Sequence, residues 1–271
     1  MNASSFRFVI SLSHGKSNSL DAARRFCEAL GRATGAGVRL HVSADYEKMS
    51  TDVLSRGMEL SWMPPIIHAR TVALGAEIAA VPERAGLLSY RAAIVVRADS
   101  PFQAITDLAG ARFAWTDKNS ASGYVFTRLH CIAAGLDPKT AFANEHFYGS
   151  LMAACTAVYD GSADVTACHV SEASANDFAQ ALRDVGRHVR SAQRSLRVLD
   201  VTLPIPPDAI VFAPGVTAED RKRVRQALIA LHLSPAGALA VKDLLSAERL
   251  VAVSGGLQAI LDGAAALAAK A

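Results

Sequence analysis

Apolar positions along this chain fall into two alternating rhythms. Short apolar-rich runs at Phe6–Leu12, Val38–Val42, Leu60–Met63, Ala76–Val81 and Tyr90–Arg97 have the length and β-branched content of buried strands. Between them, apolar residues recur every three or four positions. Leu20, Ala23, Phe26, Cys27 and Leu30 make one such stripe, with Ser19 as its N-cap, and Tyr46–Arg56, ended by Gly57, makes another. Pro64-Pro65 opens a helix over Ile66–Leu74, because proline is tolerated in a first turn. This β-α-β-α order predicts an α/β fold with a mostly parallel sheet.

After the turn Asp99-Ser100-Pro101 the rhythm restarts. Strands are expected at Arg112–Trp115, His146–Tyr148, Ala163–His169, Ser195–Leu199 and Asp208–Phe212. Helices are expected at Tyr124–Ala134, Leu151–Asp160 and Glu172–Leu182, the first two closed by Gly135 and Gly161. Thr217 with Asp220 has the form of a capping box opening Ala218–Leu233. Ser234-Pro235 breaks that helix, two more helical stretches follow, and the tail Ala264–Ala271 is expected to fray. A restart in mid-chain fits either a second lobe inserted into the first or one continuous doubly wound sheet.

Composition narrows the class. With 51% hydrophobic and 20% charged residues, the chain is globular and rich in core. A net charge of +3 is too small to imply nucleic acid, and Arg221-Lys222-Arg223 with Arg225 reads as a solvated helix face. No apolar run reaches the roughly 18 residues of a membrane span. Phe8–Leu12 is shorter than a signal-peptide core, so the expected location is periplasmic if a leader was removed and cytoplasmic if Met1 is the native start. The four cysteines, Cys27, Cys131, Cys155 and Cys168, lack C-x-x-C spacing. They read as buried thiols that lean toward a reducing compartment, with a Cys155–Cys168 disulfide left open.

The segment Phe113–Phe126, FAWTDKNSASGYVF, carries the most chemistry. A strand ends at Trp115 and a polar loop runs into a helix. Ser120 and Ser122 flank Ala121, and Gly123 allows close backbone approach to a ligand. The first N–H groups of such a helix lack internal partners and carry the positive end of its dipole, which favours phosphate, phosphonate or carboxylate. The alternative is that Asn119, Ser120 and Ser122 only cap the helix. Gly15-Lys16-Ser17 after the first strand lacks the earlier glycine of a P-loop, since Ile10 stands there. Ser13, His14 and Ser17 still follow the carboxyl end of a strand, where ligands bind in α/β sheets. Trp62 and Trp115 end strands as pocket wall or as core. The eight histidines form no metal-binding pattern, no nucleophile elbow appears, and neither metal nor cofactor is expected.

From Tyr90 to Asp164 the chain resembles the phosphonate/phosphite/phosphate solute-binding proteins of ABC transporters. The stretches that carry the resemblance are YRAAIVVRADSP, ITDLAGARFAWTDKNSASGY, LHCIAAGLDP, FYGS and DGSADV. Asp45-Tyr46, Met63-Pro64-Pro65 and Pro204-Ile205-Pro206 fit weaker family patterns. The resemblance implies a two-lobed type II periplasmic-binding-protein-like fold with hinge strands between the lobes. One lobe would be 1–91 plus 206–271, and the other, 92–205, would carry the anion-binding loop. It further implies that Ser120, Ala121, Ser122 and Gly123 hold the ligand's oxyanion, with Ala121 in place of the family's usual threonine. Tyr46 and Tyr90 match tyrosines that line the cleft from the lobe opposite the anion-binding loop. Leu151 replaces a common histidine and His169 replaces a common carboxylate, so the expected ligand is a small anion without an ammonium group, and a transporter permease is the implied partner. The rival readings are a cytoplasmic enzyme on the same fold, with His14, His146 and His169 as acid/base candidates, and a cytoplasmic ligand sensor.

Overall fold

The computed structural model describes residues 5–11, 19–55, 57–137, 139–186 and 196–254. Its elements begin with β1 (Ser5–Ser11), α1 (Ser19–Thr34), β2 (Gly37–Ser43), α2 (Tyr46–Leu54), β3 (Leu60–Met63), α3 (Pro65–Ala73) and β4 (Glu77–Glu83). Next come β5 (Tyr90–Arg97), β6 (Arg112–Trp115), α4 (Phe126–Ala133), β7 (Asn144–Phe147), α5 (Leu151–Tyr159), β8 (Val165–Ser171) and α6 (Phe178–Gly186). The last are β9 (Leu196–Val201), β10 (Ala209–Phe212), α7 (Ala218–Ala230), α8 (Pro235–Leu245) and β11 (Arg249–Val251). The chain forms two compact units, one taking the chain up to Leu88 and again from Pro206, the other taking Ser89–Ile205.

In the first unit the strand order is β11-β4-β10-β3-β1-β2, and in the second it is β7-β6-β8-β5-β9. Both sheets are covered on two faces, which is why their strands read as nearly unbroken apolar runs. Phe6, Phe8 and Ile10 pack with Phe26 and Leu30 of α1 and Val241 of α8, while Val9 turns to Met49 and Val53 of α2 and Ile67 of α3. In the second unit Ala93 and Val95 face α5 and α6, and Ile94 and Val96 face Phe113, Trp115 and Cys131.

The sheets are mixed, not mostly parallel. β1, β2 and β3 run parallel, as do β6, β7 and β8. β10 is antiparallel to β3 and β4, and β5 is antiparallel to β8 and β9. The cause is where the chain enters each unit. Tyr90 pairs with Ser171 at the end of β8, and Ala209 pairs with Met63 at the end of β3. Each entering strand starts at the carboxyl edge of its sheet and must run against its neighbour. Apolar content carries no information on direction.

Two local expectations also change, and one strand is added. The stretch Glu172–Leu182 is split into a 3-10 turn, Glu172–Asn176, and α6, because Asp177 turns extended and its carboxylate accepts the Gln180 N–H at 2.9 Å. Arg249–Val251 is an edge strand on β4 that the sequence did not signal, since three residues are too few to show a period. The basic cluster of α7 is not simply solvated: Arg221 and Arg225 both bind Glu77, and Arg223 lies over Phe6, 5.3 Å from the ring centre. Among the described residues, no single helix is long and apolar enough to cross a membrane. The tail Ala264–Ala271 lies outside the described residues.

His68 of α3 is buried, with its Nε2–H donating to the Pro207 carbonyl at 3.1 Å and its Nδ1 without a partner among the described residues. Burial pushes its imidazole down to about 4, against the opposing pull of the Pro207 carbonyl and the Asp208 carboxylate. The fold therefore holds the neutral ring, while the unfolded chain takes up a proton near the usual 6.5. Stability is full above that value, falls as the pH drops toward about 4, and levels off below it. We expect a loss of roughly 3 kcal/mol over this window in urea unfolding, and His68→Gln should flatten that part of the profile. An unchanged slope in the variant would assign the effect to another group.

Candidate functional site

In the second unit, β6 ends at Trp115 and the chain turns through a closed loop before α4. The Thr116 N–H donates to the Gly123 carbonyl at 3.3 Å and the Ser120 N–H to the Asp117 carbonyl at 3.0 Å, while the Asp117 carboxylate takes the Asn119 N–H at 2.7 Å. This last contact is an Asx turn, the local bond that Asp forms readily. The sequence places a helix from Tyr124; the structure begins it earlier and differently. Ala121–Val125 is a π-helical turn, with the Val125 N–H bonded to the Ser120 carbonyl and the Phe126 N–H to the Ala121 carbonyl.

Side-chain chemistry accounts for the widened turn. The Thr127 hydroxyl donates to the Ser122 carbonyl at 2.7 Å, so a side chain occupies a position that a backbone amide would otherwise take. Ser120 is the N-cap, its hydroxyl oxygen accepting the Gly123 N–H at 3.0 Å. Capping uses the oxygen and leaves the Ser120 O–H hydrogen available. Ser122 is buried, and its hydroxyl makes no hydrogen bond among the described residues. The N–H groups of Ala121 and Ser122 likewise have no acceptor among those residues. Two amides and two hydroxyl hydrogens are thus concentrated at the positive end of a helix.

A second helix starts beside this loop. The Gly149 N–H donates to the Thr116 carbonyl at 2.8 Å, and Ser150 caps α5 by accepting the Ala153 N–H at 3.1 Å. On the neighbouring strand, His169 is exposed and its ring meets Tyr90 at 4.8 Å, while Ala92 is its register partner on β5. Behind them Glu172 binds Arg91 and accepts from Ser89 at 3.0 Å, and Arg91 also donates to the Thr202 carbonyl at 2.7 Å. Tyr90 is bridged to Ile205 by two backbone bonds of 3.0 and 2.7 Å.

The candidates predicted from sequence separate as follows. Ser120, Ala121, Ser122 and Gly123 form the loop-to-helix junction, and Tyr90, expected on the opposite lobe, sits with His169 in the same unit as the loop because β5 pairs with β8 from its first residue. Tyr46 begins α2 in the first unit, half-buried, behind the N-cap Asp45. Ser13, His14 and Ser17 lie outside the described residues. His146 pairs with Ala114 on the edge strand β7 and lines a hollow of about 230 Å³ with Arg112 and Asn144, at the other end of β6 from the loop. Trp115 is core, stacked on Phe113 at 3.5 Å, with its Nε1–H donating to Glu145 at 2.6 Å. Arg128 binds that same carboxylate. Trp62 packs on the core of its own unit and donates to Asp208.

The sequence reading assigns Gly123 to ligand approach. The structure gives a different reason for this glycine. A Cβ there would lie 2.6 Å from the Thr116 Cβ and 2.8 Å from the Ser120 Oγ. Thr116 and Thr127 also shape this junction, and apart from the spacing Ser122-x4-Thr127 neither carries a local sequence signal that marks it as functional. The Thr116 hydroxyl is buried with no partner among the described residues.

A family model described as ABC transporter, phosphonate, periplasmic substrate-binding protein matches residues 8–255. No curated protein matches the chain in sequence. Among solved structures, the Xanthomonas citri protein XAC2383 bound to ATP is 17% identical, with a TM-score of 0.83 over 99% of this chain and 98% of that one. PhnD1 from Prochlorococcus marinus in complex with methylphosphonate is 15% identical, with a TM-score of 0.76 over 98% and 97%. A binding protein component of an ABC phosphonate transporter from Pseudomonas aeruginosa is 18% identical, with a TM-score of 0.72 over 94% and 83%. The two-unit α/β architecture is that of type II periplasmic binding proteins.

Gly123→Ala should force Thr116 and Ser120 apart and destabilise the protein by about 2 kcal/mol, read as a lower urea midpoint at unchanged slope. A neutral result would mean that the loop is not packed against this glycine.

Proposed function

Since the chain belongs to the phosphonate-binding family of ABC-transporter periplasmic substrate-binding proteins, we propose that it binds a small anionic solute at the Ser120–Gly123 junction and hands it on to a transporter permease without altering it. The observation that carries this reading is the set of donors at one helix start that have no acceptor among the described residues: the Ala121 and Ser122 amides together with the Ser122 hydroxyl. A phosphonate, phosphate or carboxylate oxygen supplies the acceptor that the fold does not, at the place where the helix dipole favours negative charge. That the relatives holding methylphosphonate and ATP both bind a phosphorus oxyanion supports the same chemistry.

In this proposal Ser120 adds its O–H, and Tyr90 and His169 form the remaining wall in the second unit. His169 stands where the family commonly has a carboxylate and Leu151 where it has a histidine. Without an acidic partner an ammonium group gains no ion pair, so the favoured ligand is an anion with an uncharged organic tail.

The ligand is sought by native mass spectrometry of the freshly purified protein, followed by calorimetry with phosphate, methylphosphonate, a longer alkylphosphonate and an aminoalkylphosphonate. Because a hydrogen bond to a charged group contributes about 1.5–3 kcal/mol, Ser122→Ala should weaken binding roughly tenfold or more. The aminoalkylphosphonate should bind no better than its amine-free analogue. If Ser120→Ala and Ser122→Ala both leave the affinity unchanged, the ligand is held elsewhere.

A further inference from the structure

Cys155 on α5 and Cys168 on β8 meet inside the second unit with their Sγ atoms 2.9 Å apart, and both are fully buried. Their surroundings are apolar: Ala93, Val95, Val158, Val170 and Val185 belong to the same core. Neither sulfur has a role in the anion site. The other two cysteines are placed differently, since Cys27 packs in the first unit and Cys131 packs on the opposite face of the second sheet. All four are free thiols in this structure.

We propose that Cys155 and Cys168 are an oxidation site, converted to an intramolecular disulfide that ties α5 to β8 when the chain folds in the presence of an oxidised dithiol or glutathione disulfide. One cysteine thiolate attacks the donor disulfide, forming a mixed disulfide and releasing one donor thiol. The second cysteine thiolate then displaces the other donor thiol. Two electrons pass from the cysteine pair to the donor, and each cysteine gives its proton to a departing donor sulfur.

Timing follows from burial. In the folded chain, contact with Cys155 and burial hold the Cys168 thiol well above its ordinary range, so the attacking thiolate is scarce. No donor reaches a sulfur that is 0% exposed. The bond must therefore form before α5 closes over β8, and the same burial then shields it from reductants. The consequence reaches the candidate site, because α5 begins beside Thr116 and Cys168 immediately precedes His169. The bond would fasten two walls of that site to each other.

The full chain is unfolded, reduced, and refolded with a mixture of reduced and oxidised glutathione, then denatured in an alkylating reagent. Two of the four cysteines should react, the intact mass before alkylation should lie two hydrogen atoms below that of the reduced chain, and digestion should yield one linked peptide pair carrying Cys155 and Cys168. Cys27 and Cys131 should be the alkylated residues. The oxidised form should melt roughly 5–10 °C above the reduced one. Protein folded without glutathione and exposed to it afterwards should keep all four thiols far longer. Four reactive thiols after oxidative refolding, or a bond joining either residue to any other partner, would overturn the proposal. Should refolding fail, alkylation of protein denatured directly from an oxidising compartment reads the same outcome.

Discussion

The amides of Ala121 and Ser122 stand at the positive end of a helix with no acceptor in the described fold, and the residues around them keep them so. In an ordinary helix start the capping side chain satisfies one such group and water satisfies the others. Here Ser120 takes only the Gly123 N–H, and Thr127 occupies the Ser122 carbonyl and widens the turn. π-Helical turns cost hydrogen-bond geometry and are found mostly where a site gains from them. In the proposed reading an oxyanion at this point would supply the acceptors that the described residues do not.

Such a site works only if the loop cannot relax to satisfy itself. Its rigidity has a visible source. Trp115 is fully buried between Phe113 and Tyr124, its indole N–H is held by Glu145, and Glu145 is in turn held by Arg128 from α4. Arg128 also lies over the Tyr124 ring, 5.2 Å from its centre. The strand before the loop and the helix after it are therefore locked to one another through a single carboxylate. Thr116 packs so closely on Gly123 that no side chain larger than hydrogen fits there, which further limits the shapes the loop can take.

The strands that enter each unit from the other share one arrangement. β5 and β10 each begin at the edge where the parallel strands of their sheet end, the edge at which ligands bind in α/β folds. In the second unit the entering chain is secured twice: the Tyr90–Ile205 bridge joins it to the departing chain, and Arg91 binds Glu172 and the Thr202 carbonyl. Glu172 lies three residues beyond His169, so the anchor of the connection and the wall of the proposed site share one turn.

By itself the sequence determined the order of most strands and helices, the α/β class, and a polar loop running into a helix around Ser120–Gly123, although it put the helix start at Tyr124 and not at the π-turn that opens at Ala121. These follow from local rules: apolar period, N-caps and the small residues that a crowded turn requires. Tyr90–Arg97 and Arg112–Trp115 could be read to the residue because their apolar runs are bounded by polar turns. Tertiary structure alone decided what depends on partners far along the chain. Strand direction in β5 and β10 is set by the edge at which the chain enters, which composition does not record. The need for glycine at position 123 comes from Thr116 and Ser120 folding back on it, and the basic run of α7 is recruited by Glu77, distant in sequence. Capping and period act within a few residues, whereas these features arise only when separate segments are packed together.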